Sequence, residues 1–192
     1  MSLPSLLVLT DRTQCSGSLV EVVAAAVDAG ARAVVLREKD LAKTPRAELA
    51  EQLRLVLAPA GGLLILAGAC GDAVHLAACD AFPSPRPALV GRSCHDAAEL
   101  AAAGAEGSDY VTLSPVFATA SKPGYGPVLG VEGLAALTPV ATTPVYALGG
   151  VQPPDVADCL AAGASGVAVM GPVMRTPQLV ATYLAALSRA AA

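Results

Sequence analysis

Eight short apolar runs, rich in leucine, valine and alanine, recur along the 192 residues with amphipathic stretches between most of them. This alternation predicts parallel strands joined by crossover helices. The predicted strands are Leu6–Thr10, Ala33–Arg37, Leu63–Ala67, Ala73–Leu76, Leu89–Ser93, Tyr110–Ser114, Val145–Leu148 and Gly166–Met170. Hydrophobic residues make up 54% of the chain, which suits strands that are buried on both faces. We therefore predict one α/β domain over residues 1–192, a (β/α)8 TIM barrel.

Helices are predicted at Leu19–Ala29, Pro45–Leu57, Ala97–Ala103, Val131–Leu137, Pro153–Ala162 and Gln178–Ala190. Three of them end in Ala-Gly-Ala, at Gly30, Gly104 and Gly163, where a left-handed glycine can turn the chain into the next strand. Residues 68–72 are too few for a crossover helix, and three prolines within residues 82–87 prevent a regular one. Because a complete barrel usually needs about 250 residues, we expect a barrel trimmed around its third and fourth βα units.

Composition argues against several classes of partner. A net charge of -4, no Trp and 3% aromatic residues are unlike a nucleic-acid surface. Every apolar run is interrupted before the roughly 18 residues that span a bilayer, and the start of the chain lacks a basic leader. We therefore expect no membrane partner and a cytoplasmic protein. The five cysteines show no CxxC spacing, and although Cys70, His75 and Cys79 could imitate a metal cluster, a fourth ligand is not evident.

Polar residues at the carboxyl ends of the strands are the candidate site residues, because barrels of this kind build their active sites there. The second strand ends in a charge cluster at residues 37–40. Arg37 and Lys39 alternate onto one side of an extended chain and could clamp a diphosphate. A solvated loop with local ion pairs is the alternative.

The fifth strand ends with Ser93 and His95 on a common side. A serine nucleophile with a histidine base is conceivable, but no orienting acid is clear. We expect His95 near the start of the next helix and Ser93 as a hydroxyl donor to a ligand. His75 ends a strand within an apolar run, as packed histidines with a satisfied nitrogen do.

Two further regions suit an anionic ligand. The long loop 115–128 contains Thr119, Ser121 and Lys122, whose hydroxyls and cation could bind an oxyanion; an ordinary surface loop is the alternative. Gly149 and Gly150 follow the seventh strand, and Met170 and Gly171 follow the eighth. Glycine amides at these two strand ends form the phosphate site of phosphate-binding barrels, although a role in the turn alone is also open.

In order along the chain, eight segments resemble the thiamin phosphate synthase and TenI family. They are Leu36–Asp40, Val74–Leu76, Gly91–His95, Asp109–Val111, Pro115–Thr119, Ser121–Lys122, Gly149–Gly150 and Gly166–Val169. The resemblance implies an enzyme that joins an aminopyrimidine diphosphate to a thiazole phosphate and releases diphosphate with the help of Mg²⁺. Its partners would be small phosphorylated ligands, and a homo-oligomer is left open.

The resemblance also implies roles for the candidate residues. Arg37, Lys39, Ser93 and Lys122 would hold the pyrimidine diphosphate. Thr119, Ser121, Gly149, Gly150 and Gly171 would hold the thiazole phosphate, with Met170 beside them.

The chain departs from the family at two places. The family carries an Asn-Asp pair after the third strand, with the Asp on the metal, whereas this chain reads Leu66-Ala67-Gly68-Ala69-Cys70. Asp80 matches the second metal aspartate, so a weakened Mg²⁺ site is expected. Pro115 stands where a TenI-like thiazole tautomerase has its acid/base histidine. We rank a synthase first, a tautomerase second and a non-catalytic binder of thiazole or thiamin phosphate third.

Overall fold

Eight parallel strands close into one barrel in chain order in the computed structural model, which describes residues 3–15, 17–68, 70–119 and 127–191. The strands are β1 (Leu6–Leu9), β2 (Ala33–Leu36), β3 (Leu63–Ala67), β4 (Ala73–Leu76), β5 (Leu89–Cys94), β6 (Tyr110–Leu113), β7 (Val145–Leu148) and β8 (Gly166–Val169). Each lies within one residue of its predicted end. The predicted TIM barrel is therefore confirmed.

Helices surround the barrel and pack on its outer face. They are α1 (Leu19–Asp28), α2 (Lys43–Leu57), α3 (Ala97–Glu106), α4 (Gly130–Leu137), α5 (Val156–Ala161), α6 (Gly171–Arg175) and α7 (Leu179–Ala190). The sequence pattern did not predict α6, which begins two residues after β8 and has Pro172 in its first turn, where a missing amide donor costs nothing. The helix predicted from Pro153 begins instead as a 3-10 turn, Pro153–Asp155. No helix of the described residues is long and apolar enough to cross a bilayer.

Left-handed glycines mark the predicted helix-to-strand joints in two cases of three. Gly30 and Gly163 have φ values of 112° and 93°. The joint predicted at Gly104 is wrong, because α3 continues through it and ends at Gly107, where φ is 85°. A Cβ on Gly104 would lie 2.3 Å from Thr142 Oγ1, so this glycine serves close packing rather than the turn.

The barrel is trimmed in the predicted sector. Within the described residues no helix joins β3 to β4 or β4 to β5. The Arg92 side chain alternates with the inward-facing Ser93 and points to the outside of β5, where the crossover helix is missing. It is 4% exposed.

Most of the apolar core lies in two clusters, and a third, smaller one contains Val74, Leu76 and Val90. A small cluster fills the barrel interior, including Leu7, Val35, Ile65, Tyr110 and Tyr146. A larger cluster packs the outward faces of the strands against the helices. Since the interior is filled by side chains, ligands can reach only the ends of the barrel.

Candidate active site

The two carboxylates at the end of β2 pair with an arginine that follows β1. The Arg12 guanidinium donates to Glu38 Oε2 at 2.9 Å and to Asp40 Oδ1 at 2.8 Å. This contact lowers the pKa of Asp40 below its ordinary value. Glu38 is buried. Both carboxylates of the 37–40 cluster therefore pair with Arg12 and not with the two cations of the same cluster.

Arg37 and Lys39 extend from β2 in different directions. The Arg37 amide donates to Thr10 Oγ1 at 3.0 Å, and its guanidinium contacts the Met170 sulphur at the end of β8. Lys39 Nζ lies 3.7 Å from Asp80 Oδ2 on the opposite side, and its side chain is 53% exposed. The two cations thus lie on either side of the β2 end instead of forming one adjacent clamp.

Asp80 is held in a tight turn that follows β4. Its Oδ2 accepts from the Ala77 amide at 2.8 Å. The buried Arg92 guanidinium donates to the carbonyls of Ala77, Ala78 and Asp80 at 3.1, 3.0 and 2.9 Å. Arg92 Nη2 also lies 2.8 Å from Glu106 Oε2 on α3. One arginine therefore fixes the loop that would otherwise rest on a helix.

Ser93 is paired with His75 rather than with His95. His75 Nε2 lies 3.0 Å from Ser93 Oγ, and His75 Nδ1 lies 3.0 Å from the Tyr110 hydroxyl. Burial and the nearby cations, above all Lys39, lower the pKa of His75 to about 4. This imidazole is therefore neutral, and both of its nitrogens have partners.

His95 lies just before α3, as predicted. Its amide and its Nδ1 contact Glu99 Oε2 at 2.7 and 2.8 Å, and Asp96 caps the helix. The hypothesis of a Ser93–His95 nucleophile pair is not favoured, because the described partner of the Ser93 hydroxyl is another histidine.

Gly149 and Gly150 form a tight backbone passage after β7. Their φ values are 96° and 68°, which L side chains rarely adopt. A Cβ on Gly150 would lie 2.4 Å from the carbonyl oxygen of Ala118, the residue before Thr119. The glycine turn and the start of the long loop are thus in contact, as a shared ligand site requires.

Gly171 opens α6 directly after Met170. A Cβ there would lie 2.6 Å from Gln14 Oε1 and 2.9 Å from Arg175 Nη1, so a side chain at this position would have to displace the ends of these two side chains. Within the part of the chain that the structure describes, the amides of Gly149, Gly150 and Gly171 donate to no protein oxygen. They are suited to an anion that approaches the strand ends.

Ser121 and Lys122 lie outside the described residues. The described residues include no group of three His, Cys, Asp or Glu side chains arranged to hold a metal ion. Asp80 therefore offers at most part of a metal site, and Cys70, His75 and Cys79 do not form a metal cluster.

Comparison with known proteins identifies the family. The model of the thiamine monophosphate synthase family matches residues 6–173. The chain belongs to this family. It is 39% identical to a putative thiamine-phosphate synthase of Geobacter sulfurreducens, with 90% of this chain and 88% of that protein covered. It is 35% identical to the thiamine-phosphate synthase of Methanoregula boonei, with 92% and 88% covered.

A solved structure agrees with these relatives. The thiamine phosphate pyrophosphorylase from Pyrococcus furiosus superposes with a TM-score of 0.84 at 25% identity, covering 98% of this chain and 97% of that one. The predicted resemblance is therefore confirmed, and with it an enzyme of the transferase class in thiamin biosynthesis.

Three side chains that organise the site were not predicted from the sequence. Arg12 binds Glu38 and Asp40, Arg92 holds the Asp80 turn, and Tyr110 contacts His75. The role of Arg92 could have been predicted from the sequence, because a charged residue at an outward position of a buried strand needs a partner. Nothing in the sequence indicates the contacts of Arg12 and Tyr110 until it is known which strands are neighbours.

Proposed function

We propose that this member of the family is a thiamin phosphate synthase that joins an aminopyrimidine diphosphate to a thiazole phosphate. The observation that carries the proposal is the way in which the charged side chains at the end of β2 are paired. Because Arg12 binds Glu38 and Asp40, neither carboxylate pairs with Arg37 or Lys39, and Lys39 lies 3.7 Å from Asp80 at the edge of the proposed diphosphate site. A diphosphate that is released during the reaction needs such cations.

The proposed reaction breaks the bond between the pyrimidine methylene carbon and the diphosphate oxygen. The electron pair leaves with the diphosphate, and the thiazole nitrogen forms a new bond to the methylene carbon. Arg37, Lys39 and Lys122 would stabilise the departing charge, and Ser93 would donate to one of its oxygens. This chemistry needs no protein nucleophile, in agreement with a His75 whose pKa of about 4 makes it a weak base toward Ser93.

Thiazole phosphate is assigned to the ends of β7 and β8. The amides of Gly149, Gly150 and Gly171 would donate to the phosphate oxygens, and the hydroxyls of Thr119 and Ser121 would add donors from the long loop. Met170 would contact the apolar part of the ligand. The close approach of Gly150 to the Ala118 carbonyl supports a single site made from both segments.

Mg²⁺ fits this site only as a companion of the diphosphate. Mg²⁺ is usually held by one or two carboxylates together with substrate phosphates and water. Asp80 has one carboxylate oxygen bonded to the Ala77 amide, which leaves the other to face a metal. When bound, Mg²⁺ would neutralise charge on the leaving diphosphate. Asp80 would hold it, and Arg92 would hold the Asp80 turn.

A direct assay tests the proposal. The protein is incubated with both precursors and Mg²⁺, and a synthase must form thiamin phosphate. Isomerisation of the thiazole carboxylate without the pyrimidine would favour the tautomerase. Stabilisation by thiazole phosphate with neither reaction would favour the binder. Pro115, which carries no titratable group, supports placing the synthase first.

A matched pair of variants links the assay to the site. Lys39→Met removes a charge next to Asp80, and Lys43→Met removes an exposed one at the start of α2. We expect thiamin phosphate formation to fall at least about tenfold in Lys39→Met and to stay unchanged in Lys43→Met. Equal rates in both variants would exclude Lys39 from the diphosphate site.

The cytoplasmic location and a homo-oligomeric state stay predictions.

A further inference from the structure

A line of three hydrogen-bonding groups runs from the barrel interior toward its open end. Tyr110 lies at 1% exposure among the interior apolar side chains. His75 bridges its hydroxyl and the Ser93 hydroxyl at 3.0 Å on each side. Ser93 is only partly buried. The Tyr110 end of the line is therefore buried, and the Ser93 end is accessible to water or a ligand.

Protons in this line can be arranged in two ways. In the inward arrangement Ser93 donates to His75 Nε2, Nδ1–H donates to the Tyr110 oxygen, and the Tyr110 hydrogen needs another acceptor. In the outward arrangement Tyr110 donates to Nδ1, Nε2–H donates to the Ser93 oxygen, and the Ser93 hydrogen is the one left over.

The surroundings favour the outward arrangement. The described residues provide the Tyr110 hydroxyl with no partner besides His75, so the inward arrangement would leave a buried donor unsatisfied, which is costly. At the Ser93 end the remaining hydrogen can meet water or a ligand. Burial raises the pKa of Tyr110, which keeps its hydrogen in place, and the low pKa of His75 excludes a doubly protonated ring.

We infer that Tyr110 holds His75 as the Nε2–H tautomer, and that His75 thereby turns the Ser93 hydroxyl hydrogen toward an anionic oxygen at the open end of the barrel. His75 and Tyr110 are positioning residues, since they act through Ser93. The link from Ser93 to diphosphate rests on the proposed function. The tautomer does not, and it can be measured without any substrate.

Nitrogen NMR of the histidine rings tests the tautomer directly. The chain contains only two histidines, so ¹⁵N-histidine labelling gives two ring systems, and His95→Gln assigns them. We expect His75 to show a protonated Nε2 and an unprotonated Nδ1, unchanged between about pH 5.5 and pH 8. A protonated Nδ1 with an unprotonated Nε2 would overturn the inference, whatever reaction the protein catalyses.

Removal of the Tyr110 hydroxyl tests the connection to Ser93. In Tyr110→Phe the Nδ1 position loses its described partner in either tautomer, so the preference for Nε2–H should weaken and a fraction of the Nδ1–H tautomer should appear. Affinity for inorganic pyrophosphate in Mg²⁺ buffer should fall in proportion to that fraction, with the roughly tenfold loss expected for Ser93→Ala as the limit, although Tyr110 is buried away from the ligand.

Tyr146→Phe is the control. Tyr146 is another buried interior tyrosine, but its hydroxyl donates to the Pro4 carbonyl at 3.0 Å, at the other end of the barrel. We expect it to change neither the tautomer nor the affinity. A Tyr110→Phe protein in which both the Nδ1 chemical shift and the tautomer fractions equal those of the wild type would refute the proposed role of Tyr110. Unchanged pyrophosphate affinity in Ser93→Ala, with the expected tautomer, would instead remove Ser93 from the proposed diphosphate site.

Discussion

The Arg92 guanidinium donates to the backbone carbonyl of Asp80 at 2.9 Å, from the outside of β5 to the turn that carries the proposed metal ligand. Two more carbonyls of this turn accept from the same guanidinium nitrogen. The β4–β5 connection has no helix among the described residues. A buried cation therefore supports the loop in the place of a packed helix.

Arg92→Met should destabilise the protein by about 3 kcal/mol, because it leaves three loop carbonyls without their donor. Arg92→Lys should recover part of this loss, since an ammonium can reach only some of the carbonyls. Urea unfolding measures both values. Glu106→Gln is the control: the glutamine oxygen can still accept from Arg92 Nη2, which lies 2.8 Å from Glu106 Oε2, and we expect it to cost only about 1 kcal/mol. Equal losses in Arg92→Met and Glu106→Gln would mean that the ion pair, and not the carbonyl contacts, stabilises the loop.

Asp80→Asn should raise the Mg²⁺ concentration needed for half-maximal thiamin phosphate formation by at least about tenfold. The amide oxygen can still accept from Ala77, so the unfolding free energy should change little. Asp158→Asn, an exposed substitution on α5, is the control for a lost negative charge. An unchanged Mg²⁺ response in Asp80→Asn would show that the metal is held without this carboxylate.

Strand positions were predictable because a parallel strand buried on both faces is a continuous apolar run, and that signal is local. The joint at Gly104 was predicted wrongly because two glycines lie three residues apart, and only the contact with Thr142 distinguishes packing from turning. That contact joins residues far apart in the sequence.

The sequence predicts which positions lie in the site, but not which of their side chains contact one another. Residues at the ends of strands could be located from the strand pattern, and the family resemblance assigned their roles. Arg12 contacts residues 26 and 28 positions away, and His75 contacts Ser93 18 positions away. Such pairs follow only from the neighbours β1–β2 and β4–β5 in the closed barrel. The sequence alone therefore suggests His95, the histidine nearest along the chain, as the partner of Ser93.

Gly150→Ala should reduce both stability and binding of thiazole phosphate. A Cβ at this position meets the Ala118 carbonyl at 2.4 Å, and φ is 68°, so strain and a backbone clash combine. Gly107→Ala separates the two effects, because its φ is 85° and no atom lies within 4 Å of its Cβ. We expect Gly107→Ala to cost about 1 kcal/mol with an unchanged KM for thiazole phosphate. Gly150→Ala should cost more and raise that KM, and an unchanged KM would remove this turn from the phosphate site.

Stability should fall as the pH is lowered from about 6.5 to 4, because of His75. Its pKa is about 4 in the folded protein, against an ordinary histidine value of 6.5, so the unfolded chain binds more protons within this window. The contribution is complete above pH 6.5 and is lost toward pH 4, with an amplitude of about 3 kcal/mol. Asp40, whose pKa is lowered from 3.8, acts chiefly below this window. His75→Gln should flatten the curve of unfolding free energy against pH between these values, as measured by urea titrations at several pH values. Parallel curves for the wild type and His75→Gln would mean that His75 is protonated as readily in the folded protein as in the unfolded chain.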